Sequence, residues 1–378
     1  MLKFTIHKTS GRARTGTLQT PHGSVRTPVF MPVGTVGTVK GVTPDQLRDC
    51  GVQMVLANSY HLMLRPGADV VEGLGGLHRF MAWDGPILTD SGGYQVFSLA
   101  AMRTISPEGV TFQSHIDGAT ARLTPESCIE IQSKLGADVI MQLDECPPGQ
   151  ADYGAVACAV DHSADWAARC ARAWRDRQQA QGQDQALFGI QQGGVHLDLR
   201  AVSARRIVEL DLPGYAVGGL SVGEGHERML EVLEHVDGQL PREKPRYLMG
   251  VGEPRDMLAA VARGVDMFDC VMPTRNGRNA QAFTWNGRMK LRNACHTRDG
   301  RPIDEHCPCY ACRHYSRAAL RHYFMAQEML GPTLLTIHNL AFFAQFMNAI
   351  AQAIAEDALA QRSAGWLEQM YNQEKSEQ

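Results

Sequence analysis

The sequence lacks any apolar stretch approaching the roughly 18 residues that a membrane span needs. Its opening residues, MLKFTIHKTSGRAR, hold no apolar segment of the kind a signal peptide carries. A cytoplasmic protein with no membrane partner is therefore expected. Net charge is nearly absent too. The formal value of −3 argues against a generally basic nucleic-acid binder and leaves room only for a local patch. The ten cysteines are scattered apart from one cluster, so no disulfide framework is expected in a reducing compartment. Cys50, Cys128, Cys158 and Cys170 fall in expected helices and read as small core residues. A dinucleotide fingerprint is also missing, because Gly250 and Gly252 in MGVGEP have no third glycine after them.

What the chain does have is a hydrophobic content of 44%, enough for a large core and too much for a disordered chain. Eight short apolar runs each end in a polar or glycine-rich turn. They read PVFMPVGT from Pro28, MVLANSY from Met54, PILTDSGG from Pro86, VIMQLDE from Val139, LFGIQQGG from Leu187, YAVGGLS from Tyr215, YLMGVGE from Tyr247 and MFDCVMP from Met267. Continuous runs of this length mark strands buried on both faces, as in parallel sheets. Segments able to form helices lie between most of them, at 124–135, 197–209, 226–235 and 254–263. Eight parallel strands with crossover helices predict a (β/α)8 barrel, an α/β fold whose chemistry gathers at the C-terminal ends of the strands. Asp90, Asp144 and Asp269 all fall at such ends. A barrel uses about 250 residues, so a chain of 378 has room for an insertion or appendage.

Between Thr274 and Ile303 stand seven basic residues (Arg275, Arg278, Arg288, Lys290, Arg292, Arg298, Arg301) against one acid, Asp299. An arbitrary basic run is usually a solvated face. This one begins just after a strand-end aspartate, which favours a polyanion lying across the barrel mouth.

Cys307, Cys309 and Cys312 lie within HCPCYACRHY. Three thiolates so close together pair poorly as disulfides but suit a tetrahedral Zn²⁺ that still needs one ligand. His306 adjoins Cys307 and coordinates awkwardly beside it. His314 is geometrically possible. His338, in TIHNLAFF, follows a helix-like segment (317–330) that can fold back onto the cluster, and a distant ligand ties a subdomain together best. His338 is the preferred fourth ligand. A closed Cys3His set leaves no position for water, so the expected zinc, one per chain, is structural.

A carboxylate at a strand end, such as Asp269, can be a nucleophile, a general base, a metal ligand or a helix cap. Asp90 precedes SGGYQVF, whose glycines allow close approach to the backbone. Tyr94 and Met249 are candidates to hold a flat base between them, although Met249 reads equally as core. Asp144, Gln191 and the bare backbone of Gly218, Gly219 and Leu220 make a hydrogen-bonding frame suited to a purine edge. Glu145 reads as an outer, salt-bridged neighbour. Two carboxylates at a glycosidic carbon are a familiar solution to sugar transfer, one attacking and one handling the leaving group's proton.

TDSGGYQVFSL from Thr89, LDEC from Leu143, QGG from Gln192, VGGLSVGE from Val217, YLMGVGEP from Tyr247 and DMFDCVMPTRNGRNAQAFT from Asp266 resemble the tRNA-guanine transglycosylases, as does the set Cys307, Cys309, Cys312 and His338. The resemblance runs from the N-terminal strands to about residue 350. It implies a barrel over 1–277 with N-terminal strands, a zinc-binding subdomain over 278–340, and a C-terminal helix over 341–378 packed on the barrel. It implies exchange of the wobble guanine in G-U-N anticodons (tRNAs of the Asp, Asn, His and Tyr type) for a 7-deazaguanine precursor of queuosine. In that reading Asp269 is the nucleophile on ribose C1′ and Asp90 the general acid/base. Asp144, Gln191 and the Gly219 amide recognise the base, and the Leu220 carbonyl accepts its aminomethyl group. Arg275 and Arg278 read the anticodon loop, whose bases are splayed for recognition and exchange.

Cys146 and Val222 are similar to the bacterial branch of the family, which implies 7-aminomethyl-7-deazaguanine as the incoming base. That branch is homodimeric, which implies Tyr315, His322 and Tyr323 as interface residues, although on their own they read equally as core. Two stretches depart from the pattern. Alanine and glycine stand exchanged at Gly277 and Ala280, which would strain a turn needing glycine at 280, and 147–154 has no assignable role. The competing readings are a nucleoside or sugar hydrolase on the same barrel, with water as acceptor, and a non-catalytic RNA-binding partner, which need not keep both Asp90 and Asp269.

Overall fold

In the computed structural model, which describes residues 2–99, 102–182 and 184–371, each of the eight apolar runs is a strand. Three strands precede them: β1 (Lys3–Ser10), β2 (Ala13–Thr20) and β3 (Gly23–Thr27) form an antiparallel sheet in that order. The barrel follows with β4 (Val29–Gly34), β5 (Val55–Ala57) and β6 (Ile87–Thr89). A small antiparallel sheet of β7 (Arg103–Ser106), β8 (Gly109–Gln113) and β9 (Thr120–Leu123) interrupts it. It resumes with β10 (Val139–Met141), β11 (Ala186–Gln191), β12 (Gly214–Val217), β13 (Arg246–Leu248) and β14 (Met267–Cys270). All eight barrel strands run parallel, and β14 pairs with β4 to close the ring, Asp269 opposite Met31. The (β/α)8 barrel is thus observed.

Side chains alternate between two packed layers, because successive residues of a strand face opposite ways. Val29, Met31, Leu88, Met141, Phe188, Ile190, Ala216, Tyr247 and Met267 fill the barrel interior. Phe30, Ile87, Ile140, Leu187, Val217, Leu248 and Phe268 pack outward with the helices. Leu18 and Val25 of the N-terminal sheet belong to the interior cluster, so that sheet packs onto the barrel's core. Its anchors are polar. Arg14 makes a two-pronged pair with the buried Asp266, Nε to Oδ1 at 2.8 Å and Nη2 to Oδ2 at 2.5 Å. The stacked rings of His22 and His78, 3.5 Å apart, each bond the buried carboxylate of Asp138.

Beyond the barrel, the hairpin of β15 (Gln281–Thr284) and β16 (Gly287–Lys290) leads into the cysteine segment. The helix Leu330–Ala355 follows. It is long and apolar enough to cross a membrane by length and composition, with a hydropathy of 1.3, which corrects the expectation drawn from apolar runs alone. Thr, His, Asn and Gln interrupt its sequence without lowering the average much. Within this protein 72% of its apolar window is buried, so it packs as a core helix. It also runs across the boundary expected at 340/341, and the helix Met272–Arg278 spans the one expected at 277/278. Cys50, Cys128 and Cys170 are buried as expected, whereas Cys158 is exposed beside His162.

Candidate active site and metal centre

The alternation of the barrel strands decides which polar residues enter the mouth. Leu88 and Met267 point inward, so two residues on Asp90 and Asp269 do the same. Asp269 is held on one oxygen only. Its Oδ1 accepts from the Tyr247 hydroxyl at 2.6 Å and from the Gly250 amide at 2.7 Å, while Oδ2 takes no hydrogen bond from the described residues. Burial raises the Asp269 pKa above the usual carboxylate range, and these two donors work against that rise.

Asp90, 7% exposed, accepts from the Asn58 side chain at 2.6 Å and from the Ser59 amide at 2.8 Å. Burial, with a further contribution from the charge of Asp269, pushes its pKa up to about 6. Asp144 is as deeply placed. It accepts from the Ser91 hydroxyl at 3.0 Å and from Nε2 of Gln192 at 2.7 Å, and burial pushes it up to about 6 as well. The glycines after Asp90 have a packing reason. A Cβ on Gly93 would lie 2.5 Å from the Asp144 carbonyl, so only glycine lets the two carboxylate loops meet.

The frame expected from Gln191 is corrected by one residue. Ile190 faces the barrel interior, so Gln191 faces outward, where its Nε2 donates to the Arg200 carbonyl at 3.0 Å and to Gln239 at 2.7 Å. Gln192 faces inward and meets Asp144. Its amide lies against the glycine loop. A Cβ on Gly218 would come within 2.8 Å of Gln192 Nε2, and one on Gly219 within 2.5 Å of Oε1. That Oε1 is buried and has no partner among the described residues, which leaves an acceptor available to a ligand. Gly219 holds φ +63°, Leu220 is buried, and the half-buried Cys146 thiol beside the Gly219 backbone is pushed up to about 12 by burial and by Asp144. Glu224 accepts from the amides of Ser221 and Val222 and fixes the turn that follows.

Tyr94 stands 53% exposed on the helix Gly93–Leu99, whereas Met249 is half-buried against the barrel interior. The stretch 147–154 has a place after all, since the Gly149 amide bonds the Val222 carbonyl at 3.3 Å. Glu145 pairs with His162 at 2.8 Å.

Cys307, Cys309, Cys312 and His338 bring their ligand atoms within 4.8 Å of one another, all four residues buried. His338 Nε2 is bonded to the Phe283 carbonyl at 2.9 Å, which turns Nδ1 toward the sulfurs. His306 and His314 are exposed and outside the cluster. Three soft sulfurs and one imidazole, with the imidazole's other nitrogen fixed, are a donor set that could hold a metal ion.

The sequence matches the family model described as queuine tRNA-ribosyltransferase over residues 9–372. The chain belongs to this family. Among its relatives, the queuine tRNA-ribosyltransferase of Desulforamulus reducens is 55% identical over 92% of each chain. Those of Cereibacter sphaeroides (54%, over 95% of this chain and 94% of the relative) and Caldanaerobacter subterraneus subsp. tengcongensis (50%, over 98% of each) are also similar. Membership makes the chain an enzyme, a tRNA-guanine transglycosylase.

For a queuine tRNA-ribosyltransferase the basic stretch after Asp269 is of interest. Arg275 is exposed on the helix Met272–Arg278, and Arg278 is half-buried with an Nη1 that has no partner among the described residues. Burial and the neighbouring Arg275 lower the Arg278 pKa. The patch is smaller than the sequence run suggests, because Arg288 is held by Glu253 and Arg301 by Asp299.

Ala280 takes the left-handed conformation, φ +61°, that was expected to favour glycine. Gly277 has its own requirement, since a Cβ there would meet Thr336 Oγ1 at 2.7 Å.

Proposed function

We propose that this enzyme replaces the wobble guanine of G-U-N anticodons with 7-aminomethyl-7-deazaguanine through a covalent intermediate on Asp269. The single observation that carries the reading is the arrangement of Asp269 at the mouth: Oδ1 tethered by Tyr247 and Gly250, Oδ2 without a donor among the described residues. A carboxylate oriented in this way can attack ribose C1′ with Oδ2 as the C1′–N9 bond of guanine breaks. Asp90, with its pKa pushed up to about 6, suits a group that gives the departing guanine its proton and later takes one from N9 of the incoming base. That base then attacks C1′ and expels Asp269.

Asp144, Gln192 and the Gly219 amide would read the purine edge, with Gly218 admitting it closely, the Leu220 carbonyl accepting the aminomethyl group and Cys146 bounding the pocket. Tyr94 and Met249 would hold the base between them. Arg275 and Arg278 would contact the anticodon loop. Cys307, Cys309, Cys312 and His338 would hold one structural Zn²⁺, tying the β15–β16 hairpin and the helix Leu330–Ala355 to the cysteine segment. A cytoplasmic homodimer fits the reading. Tyr315 and Tyr323 contact edge-on at 6.1 Å, and Met325 and Met329 are exposed.

Incubation with tRNA and labelled guanine tests the reaction. Incorporation into a G-U-N tRNA, and none into the same tRNA lacking the wobble guanosine, is expected. Guanine release that leaves an abasic site would instead support a hydrolase.

A further inference from the structure

Arg200 is fully buried, yet among the described residues its guanidinium bonds carbonyls and no carboxylate. Burial pulls its pKa down to about 10, which still leaves it cationic at neutral pH. A buried charge without a carboxylate is costly unless every donor is well placed. Here each nitrogen finds a carbonyl at the barrel mouth, one at the end of β11 and two on the loops that follow β11 and β12. Nε donates to Gly194 at 2.8 Å, Nη1 to Gln191 at 3.0 Å and Nη2 to Gly219 at 3.4 Å. The Gln191 carbonyl also accepts from the Gly218 amide at 3.0 Å, so one oxygen joins the ends of β11 and β12.

The residue's own backbone is fixed just as firmly. Its carbonyl accepts from Gln191 Nε2 at 3.0 Å, and a Cβ on Gly193 would lie 2.8 Å from its amide nitrogen. The guanidinium therefore stands at a set place behind the glycine loop. Holding the Gly219 carbonyl fixes the plane of the Gly219–Leu220 peptide, since that unit is planar and trans. It also fixes the loop against which Gln192 lies.

We propose that Arg200 is a positioning residue for base recognition: its three-pronged grip on Gly194, Gln191 and Gly219 sets the Gly219–Leu220 backbone and the Gln192 side chain toward the incoming purine. This rests on the base-exchange reading. The fork is the working feature, because a planar guanidinium spreads its donors over three nitrogens in a fixed plane, whereas an ammonium offers its three from a single atom.

The test compares full-length wild type with R200K and R200Q. Melting temperature and metal content are measured beside KM for guanine, KM for tRNA and kcat. Both variants are expected to raise the guanine KM at least tenfold while the tRNA KM stays within twofold. An unchanged guanine KM in a folded variant overturns the proposal. So does full rescue by lysine, which would assign the effect to charge alone. If neither variant folds, Q191A, which frees the Arg200 carbonyl, is expected to raise the guanine KM about threefold, and no rise overturns the proposal. If wild type incorporates no guanine, base exchange itself fails. Calorimetry with guanine then decides on Arg200: weaker binding by R200K supports it, and equal binding overturns it.

Discussion

Gln192 donates its side-chain amide to Asp144 across 2.7 Å, while Gln191, its neighbour in sequence, bonds Arg200 and Gln239 on the opposite face of the strand. One amide belongs to the mouth and the other to the scaffold. Q192A removes a donor to a buried carboxylate, a loss of about 1.5–3 kcal/mol. The guanine KM is expected to rise ten- to a hundredfold in Q192A and only about threefold in Q191A. Steady-state exchange kinetics on the two variants check this, and the reverse order would restore Gln191 to the site.

That pair also marks where the sequence was legible. The eight strands were readable because each is buried on both faces and so is apolar throughout. The same continuity hides the phase. In LFGIQQ nothing polar distinguishes the face that carries Phe188 and Ile190 from the face that carries Leu187, so Gln191 and Gln192 could not be told apart. Asp90 and Asp269 escaped the ambiguity because no second carboxylate adjoins either, whereas Asp144 stands beside Glu145, which turns away to His162. The sheet of β7–β9 was missed for another reason: β7 is short and largely exposed, with too few apolar positions to show a period. Arg200 gave no signal at all. It lies in an ordinary helical stretch, Leu197–Val208, and its importance depends on carbonyls brought together by folding.

Asp144 should impose a pH limit on base binding. Its pKa is raised to about 6, and only the ionised form accepts from two donors of a purine edge. Protonation removes that capacity, so guanine binding is expected to weaken as pH falls through about 6 and to level off above 7. Stability runs the other way. A carboxyl whose folded pKa lies above its unfolded value contributes stability that is present at low pH and lost as pH rises from about 4 to about 6. The KM for guanine measured from pH 5 to 8 tests the first statement. The acid limb should be lost in D144N, which binds weakly throughout.

Ala280 at φ +61° carries a strain that glycine does not. A280G is expected to stabilise the fold by about 1 kcal/mol or slightly less, the left-handed penalty offset by chain entropy. G277A should do the opposite, because its methyl would meet Thr336. Denaturant midpoints of the two variants, compared with wild type, give the signs.

His338, not His314, completes the cysteine cluster in space. H338A is expected to lower bound zinc and the melting temperature together, and H314A to change neither. Chelator treatment of wild type should reproduce the H338A melting curve. Zinc loss in H314A alone would reassign the ligand.

A bond between Asp269 and the tRNA ribose can be seen directly on a denaturing gel, followed by mass spectrometry of the peptide that retains RNA. Wild type incubated with a G-U-N anticodon stem-loop should yield an RNA–protein adduct on the peptide containing Asp269, absent in D269N, with exchange lost alongside it. An adduct on another residue, or undiminished exchange by D269N, would contradict the account.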